Sequence, residues 1–257
     1  LPAPSPAEHL LHAAQVTQLR SNPLWRPDLS TADQIAALPA WLEHHWLGMP
    51  VATWLQRFET EPETWPLHWA AQAHSAVALT LHSHGPAAEC LATASEPSTL
   101  LAAPEQSMPW LNQHMANEPG FCQQPHWHGA VPDSGPWNRE HCPLKLPTHH
   151  AAMRLAARIV EVLRLALPSG AQWLAHGALA LGPREGVAWT EMARGLLIHW
   201  VRLDENTTRP RAEAYRVLAP TEWNFHPHGA LARAVAALSL NDTEAARLLA
   251  AAYDPCV

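Results

Sequence analysis

The chain has 257 residues, 47% of them hydrophobic, enough to bury one sizeable core, and a single domain over residues 1–257 is expected, with residues 1–20 as a loosely packed arm. The formal net charge is −7, and the 15 arginines are scattered against a single lysine, Lys145, so no basic stripe follows a phosphate backbone and nucleic acid is excluded as a partner. No apolar run approaches the ~20 residues of a membrane-spanning helix. The start, Leu1-Pro2-Ala3-Pro4-Ser5-Pro6, has no basic segment followed by an apolar one, which predicts a cytoplasmic protein with no membrane partner.

The first half reads as helices punctuated by proline. Glu8–Leu19 has a short helical pattern, and Ser30-Thr31-Ala32-Asp33 resembles a capping box ahead of Ile35, Leu38, Leu42 and Trp46, with Pro39 expected to kink or split that segment. Val51–Phe58 follows. Trp65–His84 is long enough for a core helix, with Gly85-Pro86 as its stop. Residues 96–147, rich in Pro and Gly, read as a long loop that carries the polar run Phe121-Cys122-Gln123-Gln124-Pro125-His126-Trp127-His128-Gly129.

Thr148 is expected to cap the most regular helix. In it Ala152, Leu155, Ile159, Val162 and Ala166 share one face and Arg154, Arg158 and Glu161 another. After Gly177 the pattern shortens to β-type runs, Ala178–Leu181, Val187–Trp189, Leu196–Leu203 and Ala212–Leu218, which predict a small antiparallel meander. Two helices, Ala230–Leu238 and Thr243–Ala252, close the pattern. The fold class is mainly α with a small antiparallel β-sheet (α+β).

Four cysteines, Cys90, Cys122, Cys142 and Cys256, stand far apart with no C-x-x-C pair, which reads as free thiols in a reducing compartment. Cys90 and Cys142 are expected to be small buried residues. For Cys122, a metal-ligand role and an incidental one both stand. The histidine pairs His126/His128, His149/His150 and His226/His228 lack the i, i+4 spacing of a helical metal site, and chance pairs are expected among 18 histidines. Charged residues are only 15%, against ~25% for an ordinary domain, with 13 Trp and 25 Pro. That composition suits a protein that docks onto others, and a high-GC codon bias produces the same profile. No nucleophile elbow, phosphate loop or pair of catalytic carboxylates is present, so no enzyme activity is expected.

From about Trp127 onward the motif order resembles the large subunit of [NiFe] hydrogenases. Asp133-Ser134-Gly135-Pro136-Trp137-Asn138-Arg139 echoes that family's motif ending in G-P-L-A-R, and Arg154–Arg158 is similar to the helix that follows it. Glu191-Met192-Ala193-Arg194-Gly195-Leu196-Leu197-Ile198-His199 matches E-A-P-R-G-x-L-x-H. Tyr215 through Asn224 matches the strand ending in V-P-T-x-W-N, and Asp254-Pro255-Cys256 matches D-P-C. The family holds nickel and iron with four thiolates from two C-x-x-C motifs, whereas no such motif occurs here and the sequence stops one residue after Cys256, so at most one of the four ligands carries over.

This reduced pattern resembles the HupK/HoxV group of hydrogenase accessory proteins, shortened relatives of the large subunit. The resemblance implies a scaffold that carries an Fe(CN)2(CO) unit transiently, without nickel, and passes it to the apo large subunit. The implied partners are a small HypC-type assembly chaperone and the cofactor-assembly machinery. It further implies that Arg194 donates to one cyanide and the hydroxyl in Pro220-Thr221 to the other, that Glu191 positions Arg194 or a proton, and that Cys256, with Cys122 or a partner's cysteine, ligates iron. A guanidinium, always charged and geometrically fixed, suits an anionic ligand. The competing expectation is a metal-free adaptor that docks assembly chaperones. Trp223 and Asn224 are expected to be structural.

Overall fold

In the computed structural model the described residues are 16, 18–93, 100–139, 150–173, 175–206 and 208–254. Most of the expected Glu8–Leu19 helix lies outside them, as do Cys142, Thr148, His149, Pro255 and Cys256. About half of the chain is helical, with one four-stranded sheet, so the class is α+β. Contacts divide the chain into two compact units, one containing residues up to Gly85 with Val162–Ala171, the other Pro86–Glu161 with Gln172 onward.

In the first unit, α1 (Thr31–Leu42) starts where the Ser30 hydroxyl accepts the Asp33 N–H, 3.2 Å away. Pro39 neither splits nor stops it, because proline removes a single backbone donor from the ladder. The helix instead widens into a π-helical turn, Glu43–Leu47, ended by Gly48 at φ 69°, a conformation glycine adopts without strain. Helices α2 (Val51–Thr60) and α3 (Trp65–Gln72) follow. Their core is aromatic: Trp54 stacks on Phe58 at 5.7 Å and meets Trp69 edge-on at 5.6 Å. The Trp69 indole N–H donates to Leu47 O at 3.0 Å, which ties α3 to the π turn.

The single helix expected over Trp65–His84 is two. Ala73 turns extended after α3, and the Ser75 hydroxyl accepts the Ala78 N–H at the start of α4 (Ala76–Glu89). Helix α4 runs through Gly85-Pro86 rather than stopping there. This register turns Cys90 outward, because it lies two residues, about 200° of helix, beyond the fully buried Ala88. Cys90 is therefore exposed, not buried as expected, and its thiol donates to Pro86 O.

The second unit holds the sheet, β1 (His176–Gly182), β2 (Glu185–Met192), β3 (Gly195–Leu203) and β4 (Ala212–Leu218), paired antiparallel in sequence order as the expected meander. In β3 the side chains alternate, with Leu196, Ile198 and Trp200 buried and Leu197, His199 and Val201 half-buried. Helix α5 (Pro104–Asn117) covers the buried face with Met108, Leu111 and Met115. It lies inside the stretch read from sequence as loop. Pro104 occupies its first turn, where no N–H is needed, and the apolar spacing of 3 and 4 carries it past Pro109. Glu185 binds both layers, accepting from Asn112 Nδ2 at 3.0 Å and from Trp200 Nε1 at 2.8 Å.

Helix α6 (Ala151–Leu165) is buried nearly all round, and Arg154, expected on a polar face, is 1% exposed. The one-turn helix α7 (Pro220–Asn224), then α8 (Ala230–Ala236) and α9 (Thr243–Tyr253) complete the second unit. Ile198 is fully buried in the sheet–α5 core. Ile198→Ala is expected to cost about 2–5 kcal/mol through lost burial and cavity formation, read as a lower denaturant midpoint at unchanged slope.

Candidate functional site

The motifs that the sequence singles out converge in the second unit around one buried carboxylate. Asp133 is 1% exposed. Arg154 Nη2 lies 2.6 Å from its Oδ2, the Trp137 indole N–H donates to the same oxygen at 2.9 Å, and Asn138 Nδ2 donates to Oδ1 at 3.1 Å. The Arg154 guanidinium is sandwiched between rings, 4.2 Å from Trp137 and 4.1 Å from Tyr253. Cation–π contact replaces part of the hydration that burial removes. Burial, the dominant cause, pushes the Tyr253 hydroxyl up to about 12.

Ser134, next to this carboxylate, fastens three chain segments. Its backbone N–H donates to Asn224 Oδ1 and its carbonyl accepts from Asn224 Nδ2, both at 2.8 Å. The same Nδ2 reaches Arg194 O at 3.2 Å, and the Ser134 hydroxyl accepts the Leu196 N–H at 2.6 Å. Met192 pairs with Gly195, so Ala193 and Arg194 form the two-residue tip of the β2–β3 hairpin. Gly195 has φ 127°, and a Cβ there would collide with Ser134. Glycine is thus required twice over, by conformation and by close approach.

Arg194 leaves this tip toward the end of α9. Its Nε faces Asp254 Oδ2 at 3.3 Å, and its side chain is 40% exposed. Among the described residues its Nη groups make no hydrogen bond. Arg158 reaches the same helix end, donating to Ala251 O at 3.0 Å and to Ala252 O at 2.7 Å, as a cation at a helix C-terminus does. Burial holds the Arg158 guanidinium below its usual value; Asp254 opposes this, and Arg154 and Arg194 add to it. Two guanidiniums, Arg158 and Arg194, therefore act at one half-exposed carboxylate, Asp254, while Arg154 is matched by Asp133. On the other side of the hairpin, Arg139 pairs with Glu161, lies 3.7 Å from Glu191 Oε2 and donates to Met192 O.

Pro220 is buried at the first position of α7, and Thr221 follows it half-buried, its hydroxyl making no hydrogen bond among the described residues. Asn224, three residues on, is the link from that turn to Arg194. Cys122 packs half-buried against the sheet–α5 core. Burial raises its thiol pKa, with Arg216 opposing and Glu222 adding to the rise. Among the described residues no three His, Cys, Asp or Glu side chains are arranged to hold a metal ion. The His228 N–H donates to His226 Nδ1 at 3.0 Å, which makes that nitrogen an acceptor and gives the pair a structural role.

Sequence reasoning assigned no role to Asp133, Ser134 or Arg154 and left Asn224 as structural. The available signal was that Asp133-Ser134, Gly195 and Asn224 each belong to a separate motif.

Asp133→Asn or Arg154→Met is expected to cost about 3–5 kcal/mol, since either leaves an uncompensated buried charge, and the double replacement Asp133→Leu/Arg154→Met much less, read by denaturant titration. Burial also holds His45 and His226 below the ordinary imidazole value, with His44 contributing at the first and His228 and His126 at the second. The unfolded chain then binds more protons, so stability is full above the unfolded value of about 6.5 and falls as pH drops below it. The thermal midpoint should decrease from about pH 7.5 to 5.5, and less steeply in His226→Asn.

No protein-family model matches the chain. No solved structure matches it. Curated proteins do match. The hydrogenase expression/formation protein HoxV of Cupriavidus necator is 39% identical over 236 residues, 86% of this chain and 61% of HoxV. HupK of Bradyrhizobium diazoefficiens, with the same description, is 34% identical over 63% of this chain and 47% of its own length. HupV of Azotobacter chroococcum is 38% identical over 42% of this chain and 29% of its own length. The chain thus spans about three-fifths or less of each of these relatives. With the HoxV alignment covering most of its length, the chain is a homologue of the hydrogenase expression/formation proteins HoxV, HupK and HupV.

Proposed function

We propose that the chain is a non-catalytic scaffold in [NiFe] hydrogenase maturation, a relative of the large subunit that carries an Fe(CN)2(CO) unit as cargo before the unit passes to the apo large subunit. The names of its relatives support a role in hydrogenase formation. The observation that carries the finer reading is the pair of unengaged donors, Arg194 Nη and the Thr221 hydroxyl, on two turns that Asn224 holds together. A cyanide bound to iron presents a nitrogen acceptor, and a charged donor serves it best. The surplus of guanidinium around Asp254 favours an anionic fragment at this place.

Arg194 would hold one cyanide, Thr221 the other, and the buried ring of Pro220 would line the apolar side. Glu191, beside Arg139, fixes the β2 end of the hairpin that presents Arg194. Cys256 follows Asp254 by two residues and supplies a soft thiolate for iron. A second ligand comes from Cys122, a histidine, or a cysteine of a HypC-type partner. Since burial raises the Cys122 thiol pKa, its binding to metal would have to release a proton.

The second reading is a metal-free adaptor. It is favoured by an aromatic cluster in the second unit, where Trp110 stacks on His114 at 3.6 Å and meets Trp127 edge-on at 5.0 Å.

Protein purified anaerobically from a maturation-competent host is expected to show cyanide and carbonyl infrared bands. Arg194→Leu and Cys256→Ala should lose most of that intensity with folded circular-dichroism spectra, and Thr221→Val should lose part. Bandless protein and partner complexes, with hydrogenase maturation intact in Arg194→Leu and Cys256→Ala but lost in Trp127→Ala, would establish the adaptor instead.

A further inference from the structure

We propose that the first unit carries a separate binding site for a small aromatic carboxylate, an open cleft lined by the π turn, α2 and α3. The cavity measures about 530 Å³, within the range of small-molecule sites. The Glu43–Leu47 turn supplies its His44, His45 and Trp46 wall, and π-helical turns are frequent at functional sites. Trp65 and Trp69 also line it. Flat indoles in the lining favour a planar ligand group over an alkyl chain.

The charge pattern names the other half of the ligand. In a chain of net charge −7, no Asp or Glu among the described residues lines this cavity. The nearby Glu43 carboxylate is engaged, its Oε1 accepting the Val51 N–H at 2.9 Å. Arg57 lies at the cavity with its guanidinium 4.8 Å over the Trp65 ring and has no ion-pair partner among the described residues. A guanidinium stacked on an aromatic ring still offers its edge to a carboxylate in bidentate fashion.

Trp65 carries an unsatisfied donor. It is 4% exposed, and its indole N–H has no acceptor among the described residues, whereas that of Trp69 is satisfied by Leu47 O. A buried donor without a partner calls for an acceptor. One fixed cation matches the single charge of a carboxylate; a phosphate, nearly doubly charged, would be undercompensated. The histidines do not form a metal site, since no metal-holding group of three occurs among the described residues.

The test is isothermal titration calorimetry of the full chain with 2-naphthoate, its uncharged isostere 2-naphthamide, acetate, and the peptide N-acetyl-Phe-Asp-amide. Saturable 2-naphthoate binding is expected, with 2-naphthamide about 3- to 10-fold weaker and acetate undetectable, in keeping with a partly solvated charge pair. Arg57→Gln, an exposed position that leaves the melting temperature unchanged, should abolish the preference for naphthoate over naphthamide. Trp46→Leu should weaken both. Failure of 2-naphthoate to saturate by about 5 mM, equal affinity for acid and amide, or an undiminished preference in Arg57→Gln would overturn the proposal. Tighter binding of the peptide than of 2-naphthoate would overturn it in favour of a protein segment. None of these outcomes touches the iron-unit reading, whose readout is infrared.

Discussion

The buried ion pair between Asp133 and Arg154 is the constraint on which the second unit depends. Both side chains are withdrawn from water, a step that costs several kcal/mol per ion before any attraction is counted. The cost is met by completeness of contact. The carboxylate also takes the Trp137 indole N–H and Asn138, while Trp137 and Tyr253 close over the guanidinium. These partners come from the loop before residue 140, from α6 and from the last turn of α9. The pair therefore fixes the end of α9, and with it Asp254, relative to the Ser134 loop. A hydrophobic replacement could match its stability, but would not impose this one arrangement as a charged network does.

Asn224 carries the same constraint to the hairpin. A single amide reads both polar groups of the Ser134 backbone and still reaches Arg194 O, so the α7 turn, the loop and the hairpin tip cannot shift independently. The Gly195 conformation brings the tip into contact with Ser134 and sets where the Arg194 side chain departs. Rigidity thus resides in the backbone and in buried side chains, and the groups offered outward are attached to it through their own side-chain torsions, few for Thr221 and more for Arg194.

The meander and the closing helices were legible because they depend on local patterning: alternation in β3, and the turn-forming Gly182-Pro183 and Asp204–Asn206 segments between strands. Helix α5 was not, since its prolines outweighed the Met108, Leu111, Met115 spacing that the sheet rewards. Gly85-Pro86 misled in the opposite direction, a stop signal locally that the surrounding helix overrides. The motifs of the site were visible as strings, but their connections were not. Arg154 read as solvated because periodicity counts an arginine as polar, and only the positions of Asp133, Trp137 and Tyr253 in space make a dry environment acceptable to it.

The contrast between frame and donors bears on the proposed role. Arg194 is 40% exposed and Asp254 37%, so their attraction is screened and falls in the range of at most about 1 kcal/mol. A guanidinium placed at such a boundary can offer its unengaged Nη groups to a cyanide nitrogen at little net cost, and withdraw them again. A resident metal centre requires the opposite, namely closed coordination and desolvated partners that make release slow. A carrier must hold its cargo in the correct orientation yet less tightly than the acceptor does. A rigid backbone frame with shallow, partly hydrated donors satisfies both demands, because orientation is set by the buried Asp133, Arg154 and Asn224 network while affinity is set separately at the surface.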